Sequence, residues 1–118
     1  NTAIQLSRDP ASLTNVHSYK ASGVNNKSIS IAAAGSQGVT VTYKKGPINK
    51  PVASTHVKKL VHGGRRAIAR GVAKIAKSTR ADLSKAALAR ASRILDTQVE
   101  GKVQPVKKLR GKKAVIVA

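Results

Sequence analysis

Seventy-two consecutive residues, Pro10 to Ala81, contain no Asp or Glu, yet the same stretch holds thirteen Lys and Arg. Any fold built on it must carry a surface of one sign, and that surface repels itself and works against compactness. The whole chain has a formal charge of +19 over 118 residues and an isoelectric point near 11.4. The common gain that offsets such repulsion is neutralisation against nucleic-acid phosphates, so the sequence implies a polyanionic partner.

A core is nonetheless affordable at this length, which fits one small domain. Ile, Leu and Val fill 28 of the 118 positions, above the roughly 20% below which highly charged chains stay disordered. That core is thin, because it draws on aliphatics and Ala with no Phe, Trp or Met. An isolated chain of this kind is expected to be marginally stable, with bound RNA or protein supplying the rest. The absence of Cys removes disulfides, thiolate nucleophiles and thiolate zinc sites. The longest uncharged window, Ser28 to Tyr43, is too short and too rich in Ser, Thr, Gly and Gln to cross a bilayer. No membrane partner is expected, and the N-terminus lacks the pattern of a secretory signal.

The period-two signal is clearest in two runs. Ile29, Ile31 and Ala33 alternate with Ser and Ala, and Val39, Val41 and Tyr43 alternate with Thr40 and Thr42, with Gly35-Ser36-Gln37-Gly38 between them. This predicts an antiparallel hairpin with one aliphatic and one polar face. Ile4 and Leu6 before Asp9-Pro10 suggest a short strand, and Val16 to Lys20 a further extended piece. Gly46-Pro47 and Lys50-Pro51 break regular structure, and Lys44, Lys45 and Lys50 form a basic loop suited to a phosphate backbone. Ala53 to Val61 reads either as a third strand or as an early helical turn, ended by Gly63-Gly64.

Helical periodicity follows. At 100° per residue, Arg66, Arg70, Lys74 and Lys77 fall within an arc of roughly 80°, opposite Ile68, Val72 and Ile75. Thr79-Arg80-Ala81-Asp82 reads as a capping box opening a second helix, whose apolar stripe is Leu83, Ala87, Leu88, Ala91, Ile94 and Leu95. Arg90 borders that stripe, and Asp96 stands three residues from Arg93 and is expected to offset it. After Gly101 comes a tail with Lys102, Lys107, Lys108, Arg110, Lys112 and Lys113, disordered when alone, and an apolar end, Ala114 to Ala118.

Catalytic or metal chemistry has little material here. His56 and His62 are six apart, a spacing that matches neither a helical metal pair nor a finger, and His17 stands alone. No metal, cofactor or small-molecule substrate is expected, and no enzymatic activity. Gly63-Gly64-Arg65-Arg66 reads either as a simple helix start or as a phosphate nest, and the arginines favour the second. No Gly-Lys-Thr or Gly-Lys-Ser supports nucleotide hydrolysis. A solvated helix face would normally interleave acids with its bases, which the Arg66 to Lys77 rail does not. The candidate RNA-binding set is Lys20, Lys27, Lys44, Lys45, Lys50, Lys58, Lys59, Arg65, Arg66, Arg70, Lys74, Lys77, Arg80, Arg90, Arg93, Lys107, Lys108, Arg110, Lys112 and Lys113. With Tyr19 and Tyr43 the only Phe, Trp or Tyr residues, recognition is expected to read backbone shape more than base identity.

Several segments together carry a family likeness: Asp9-Pro10 through Leu13, His17 to Lys20 with Gly23, Gly38 to Thr42 with Lys44-Lys45, Lys50-Pro51, and above all Arg80-Ala81-Asp82-Leu83 with Ala86-Ala87 and Arg90 to Leu95. Over about residues 5 to 98 the chain resembles the L28e family of eukaryotic large-subunit ribosomal proteins. The family carries a further N-terminal segment with a Trp-containing strand, so one strand of the sheet is expected to precede residue 1. The resemblance implies a non-catalytic constituent of the large subunit of the cytosolic ribosome, assembled in the nucleolus, seated on ribosomal RNA and touching neighbouring large-subunit proteins.

The expected architecture is thus α+β: a small antiparallel β-sheet followed by two packed α-helices and a basic C-terminal tail. Residues 1–98 would form an RNA-binding domain and 99–118 a basic extension. Two rivals share the charge pattern. One is a ribosome-assembly factor with the same domain, although such factors usually append acidic regions; the other is a chromatin-type DNA binder with Lys-rich and Ala-rich helices.

Overall fold

The hairpin forms with the alternation as its register. In the computed structural model, which describes residues 3–23, 26–35, 37–47, 55–99, 101 and 105–106, β1 (Ile29–Ala33) pairs antiparallel with β2 (Val39–Lys44), setting Ile29 opposite Tyr43, Ile31 opposite Val41 and Ala33 opposite Val39. β3 (His56–Val61) adds to the far side of β2, again antiparallel, giving the order β1-β2-β3. Opposed residues share a face. Ile29, Ile31, Val39 and Val41 are therefore buried together on one side, while Ser30, Thr42 and Lys58 occupy the other.

The third strand resolves the ambiguity of Ala53 to Val61, of which 53–54 lie outside the described residues. Its periodicity is blurred because Lys59 sits opposite Val41, on the core face. That placement is tolerable at an edge, where a long cationic side chain reaches past the layer above it into water. Lys44 departs from expectation. It is the last residue of β2 and not part of the loop; it is buried, and its backbone N–H donates to the Ser28 carbonyl at 3.1 Å.

Two helices cover the aliphatic face. α1 (Arg65–Thr79) buries Ile68, Val72, Ile75 and Ala76 against β2 and β3, and α2 (Ser84–Gln98) buries Ala87, Ala91 and Leu95 against β1 and β2. Leu13 closes the same core from the N-terminal segment. The seat of α1 depends on Gly71, where a Cβ would come within 2.9 Å of the Val61 Cγ1 on β3.

The second helix does not begin at a capping box. Thr79 ends α1, and its hydroxyl, like that of Ser78, donates backwards to the Ile75 carbonyl, each at 2.9 Å. Those bonds turn both hydroxyls back onto the helix that precedes them and leave neither for a forward cap. A 3₁₀ turn (Ala81–Leu83) then leads into α2 without a side-chain cap.

The expected N-terminal strand is reduced to one bridge between Leu6 and Val16. It is flanked by bonds from the Ser7 N–H to the Asn15 carbonyl and the His17 N–H to the Gln5 carbonyl, both 2.8 Å. Ile4 and Leu6 stay 65% and 81% exposed, so no apolar burial recruits them into the sheet. The Asp9-Pro10 turn holds as read, with the Ala11 N–H donating to Asp9 Oδ1 at 2.9 Å. The tail cations, the Ala114 to Ala118 segment and Lys50 lie outside the described residues.

At the hairpin turn, Gly38 adopts φ +104, and a Cβ there would meet the Val61 carbonyl oxygen at 2.8 Å. The same residue is tied to α2. The Gln98 amide accepts from the Gly38 N–H at 3.0 Å and donates to the Gly38 carbonyl at 2.9 Å, latching the turn to the end of the helix.

Candidate nucleic-acid interface

Burial of Ile68, Val72, Ile75 and Ala76 fixes the rotation of α1 and turns Arg66, Arg70, Lys74 and Lys77 outward, all exposed. From Arg66 to Lys77 the rise is about 16 Å, long enough to follow a backbone past several charges. Among the described residues none of the four pairs with a carboxylate. Arg66, Arg70 and Lys74, with Ala67 and Gly71 between them, line an open groove of 470 Å³ on the β3 flank of the helix. The small residues form its floor and the cations its wall. Exposed Lys59, on the helix-bearing face of the sheet, extends the positive surface onto β3, whereas exposed Lys58 lies on the opposite face.

The far end of the rail meets a second basic recess. Lys27, Tyr43, Lys44, Lys45, Ser78 and Thr79 line 260 Å³ where the β1–β2 pair approaches the end of α1. Arg80 organises its rim. The guanidinium grips Asp82 through two bonds, Nε to Oδ1 at 3.0 Å and Nη2 to Oδ2 at 2.8 Å. It also donates to the Lys20 carbonyl at 3.0 Å and the Lys27 carbonyl at 3.3 Å. These bonds hold two segments that carry cations beside the helix end. The hydrogen bonds from Arg80, aided by its charge, draw the Asp82 carboxyl from its ordinary 3.8 to about 2, against a desolvation that pushes upward. The same bonds raise the Arg80 pKa.

Other members of the sequence-derived set serve the protein itself. Arg65 pairs with Asp96 across the two helices, so Asp96 compensates Arg65 and not Arg93. The choice is made by tertiary packing, which sequence spacing does not contain. Arg90 Nη1 donates to the carbonyls of Ser12 and Leu13, each at 3.2 Å, and to Asn15 Oδ1 at 3.1 Å. Arg90 thereby fixes the N-terminal loop, including Asn15 at its positive φ of 55. Arg90 and Arg93 both stand on α2, apart from the rail.

The histidines do not converge, since His56 opens β3 and His62 follows its last residue. His56 Nε2 lies 3.3 Å from Ser28 Oγ. Among the described residues no cluster of His, Asp or Glu is arranged to hold a metal, and no helix is long and apolar enough to cross a membrane. Tyr19 is 74% exposed, whereas Tyr43 packs against the core.

Sequence reasoning missed the organising role of Arg80 and the hydroxyl-lined recess. The signal for the first was the Arg80 to Asp82 spacing of two residues, which suits a local bidentate pair. Residues 1–97 match the family model described as the Ribosomal L28e protein family.

Proposed function

The chain belongs to the ribosomal L28e family, and we propose that it is a non-catalytic structural constituent of the large subunit of the eukaryotic cytosolic ribosome. It holds ribosomal RNA by phosphate neutralisation and shape. The observation that carries this reading is the row of Arg66, Arg70, Lys74 and Lys77, exposed on one helix face with no carboxylate pairing among the described residues. A phosphodiester backbone lies along the groove floored by Ala67 and Gly71. Lys59 flanks it on β3, Lys58 adds a cation on the opposite face of the sheet, and Lys20, Lys27 and Lys45 receive the strand at the far end.

In this reading Arg80 and Arg90 act chiefly by positioning loops, and Lys50 with the basic tail adds further phosphate contacts. Residues 1–98 form the RNA-binding unit and 99–118 its basic extension. Neighbouring large-subunit proteins complete the site, which is assembled in the nucleolus and works in cytoplasmic ribosomes. No cofactor or small-molecule substrate is required.

Cosedimentation tests this. The full chain should travel with large subunits through high salt and be released by RNase but not by DNase. Release by DNase, or loss from subunits before translation begins, would overturn the assignment.

A further inference from the structure

The outward face of α2 has a different chemistry from that of α1. Leu13, Ala86, Ala89 and Ile94 line an open groove of 450 Å³ between α2 and the N-terminal loop, with Arg90 and Arg93 at its margin. No Lys lines it, whereas the groove on α1 and the recess beyond it both include Lys. Aliphatic surface with Arg but without Lys is the composition of a protein interface core more than of a phosphate track.

The two arginines divide the work. Arg90 is held by three oxygens of the N-terminal loop, which makes that wall of the groove rigid before anything binds. A preformed wall lowers the ordering cost of association. Arg93, one turn further on, is exposed, and among the described residues it pairs with no carboxylate, because Asp96 is engaged by Arg65. A cation beside an apolar groove is complementary to an anion attached to an apolar group.

We infer that this groove docks a segment of a neighbouring protein that places an aliphatic side chain against Leu13, Ala86, Ala89 and Ile94 and an Asp or Glu carboxylate on Arg93. The domain then has two working faces: α1 and β3 toward RNA, α2 and the N-terminal loop toward protein. The inference rests on the proposed place in the large subunit for its partner and on the RNA reading of α1 for that division.

Site-directed photocrosslinking in assembled large subunits tests it. A benzophenone side chain is placed at Ala89, which is exposed in the groove, and in a parallel chain at Ala67 on α1. The Ala89 adduct should be protein, resistant to nuclease, and map beside an aliphatic residue adjacent to Asp or Glu. Arg93→Glu should cut its yield about five- to tenfold by turning attraction into repulsion, and Arg93→Lys should restore most of it. An Ala89 adduct with RNA, with a second copy or with another part of the same chain would overturn the inference, as would no adduct or one indifferent to Arg93→Glu. The Ala67 probe separates the two readings: failure to reach RNA there counts against the RNA face, whatever happens at Ala89.

Discussion

The two helices share a length of 15 residues and one core, yet their exposed faces diverge. α1 presents four cations, three of which line a groove with two small residues, and among the described residues its acid compensation is confined to Arg65 at one end. α2 mixes signs, exposes aliphatics and commits one of its arginines to the chain's own carbonyls. The difference teaches that net charge alone does not define a binding surface. A cation contributes to phosphate affinity only where the fold leaves its donors outward, and the same residue type elsewhere becomes an internal tie.

The contrast breaks most visibly if the rail is neutralised. Changing Arg66, Arg70, Lys74 and Lys77 together to Gln should lower the logarithmic salt slope of ribosomal RNA binding by about 3, at roughly 0.7 to 0.9 per phosphate. Between 50 and 200 mM salt that removes about a hundredfold of salt sensitivity, measurable by filter titration. Arg93→Gln, on the other helix, should change the slope by less than about 1. Equal effects per residue on the two faces would erase the distinction.

The latch between the sheet and α2 comes next in size. Gln98→Ala leaves the Gly38 N–H and carbonyl without their partner amide, and should cost about 1–3 kcal/mol in denaturant unfolding. Acid titration sharpens the account of the α1 terminus. Because the Asp82 pKa is depressed in the folded chain, its contribution is fully present above about 3.8 and is lost as pH falls toward about 2. Asp82→Asn should flatten that part of the stability profile and lower stability at neutral pH. The smallest effect belongs to Asp96→Asn, whose pair with Arg65 is solvent-exposed and should be worth under about 1 kcal/mol.

What the sequence disclosed follows from the range of the forces involved. The hairpin was legible because Ile29, Ile31, Val39 and Val41 repeat at period two, and the rail because Ile68, Val72 and Ile75 fix the helix rotation. Both are local patterns that tertiary packing reinforces. The start of α2 was misread because Thr79 could cap forward or bond backward, and the choice went to the Ile75 carbonyl. Asp96 was assigned to Arg93 by proximity along the chain, while its partner Arg65 is 31 residues away. Arg80 and Arg90 carried the right charge for RNA but found acceptors 53 to 78 residues distant, contacts invisible to any periodicity.

The Gln98 latch also constrains the order in which the molecule can be finished. The turn it holds is made of residues near position 38, but the amide that closes it is the final residue of α2, 60 positions later. During synthesis the hairpin can pair as soon as it emerges, yet its turn stays unlocked until the second helix has left the exit tunnel. The latch therefore joins an early sheet turn to a late helical turn, and a chain halted even one residue short of Gln98 would lack it.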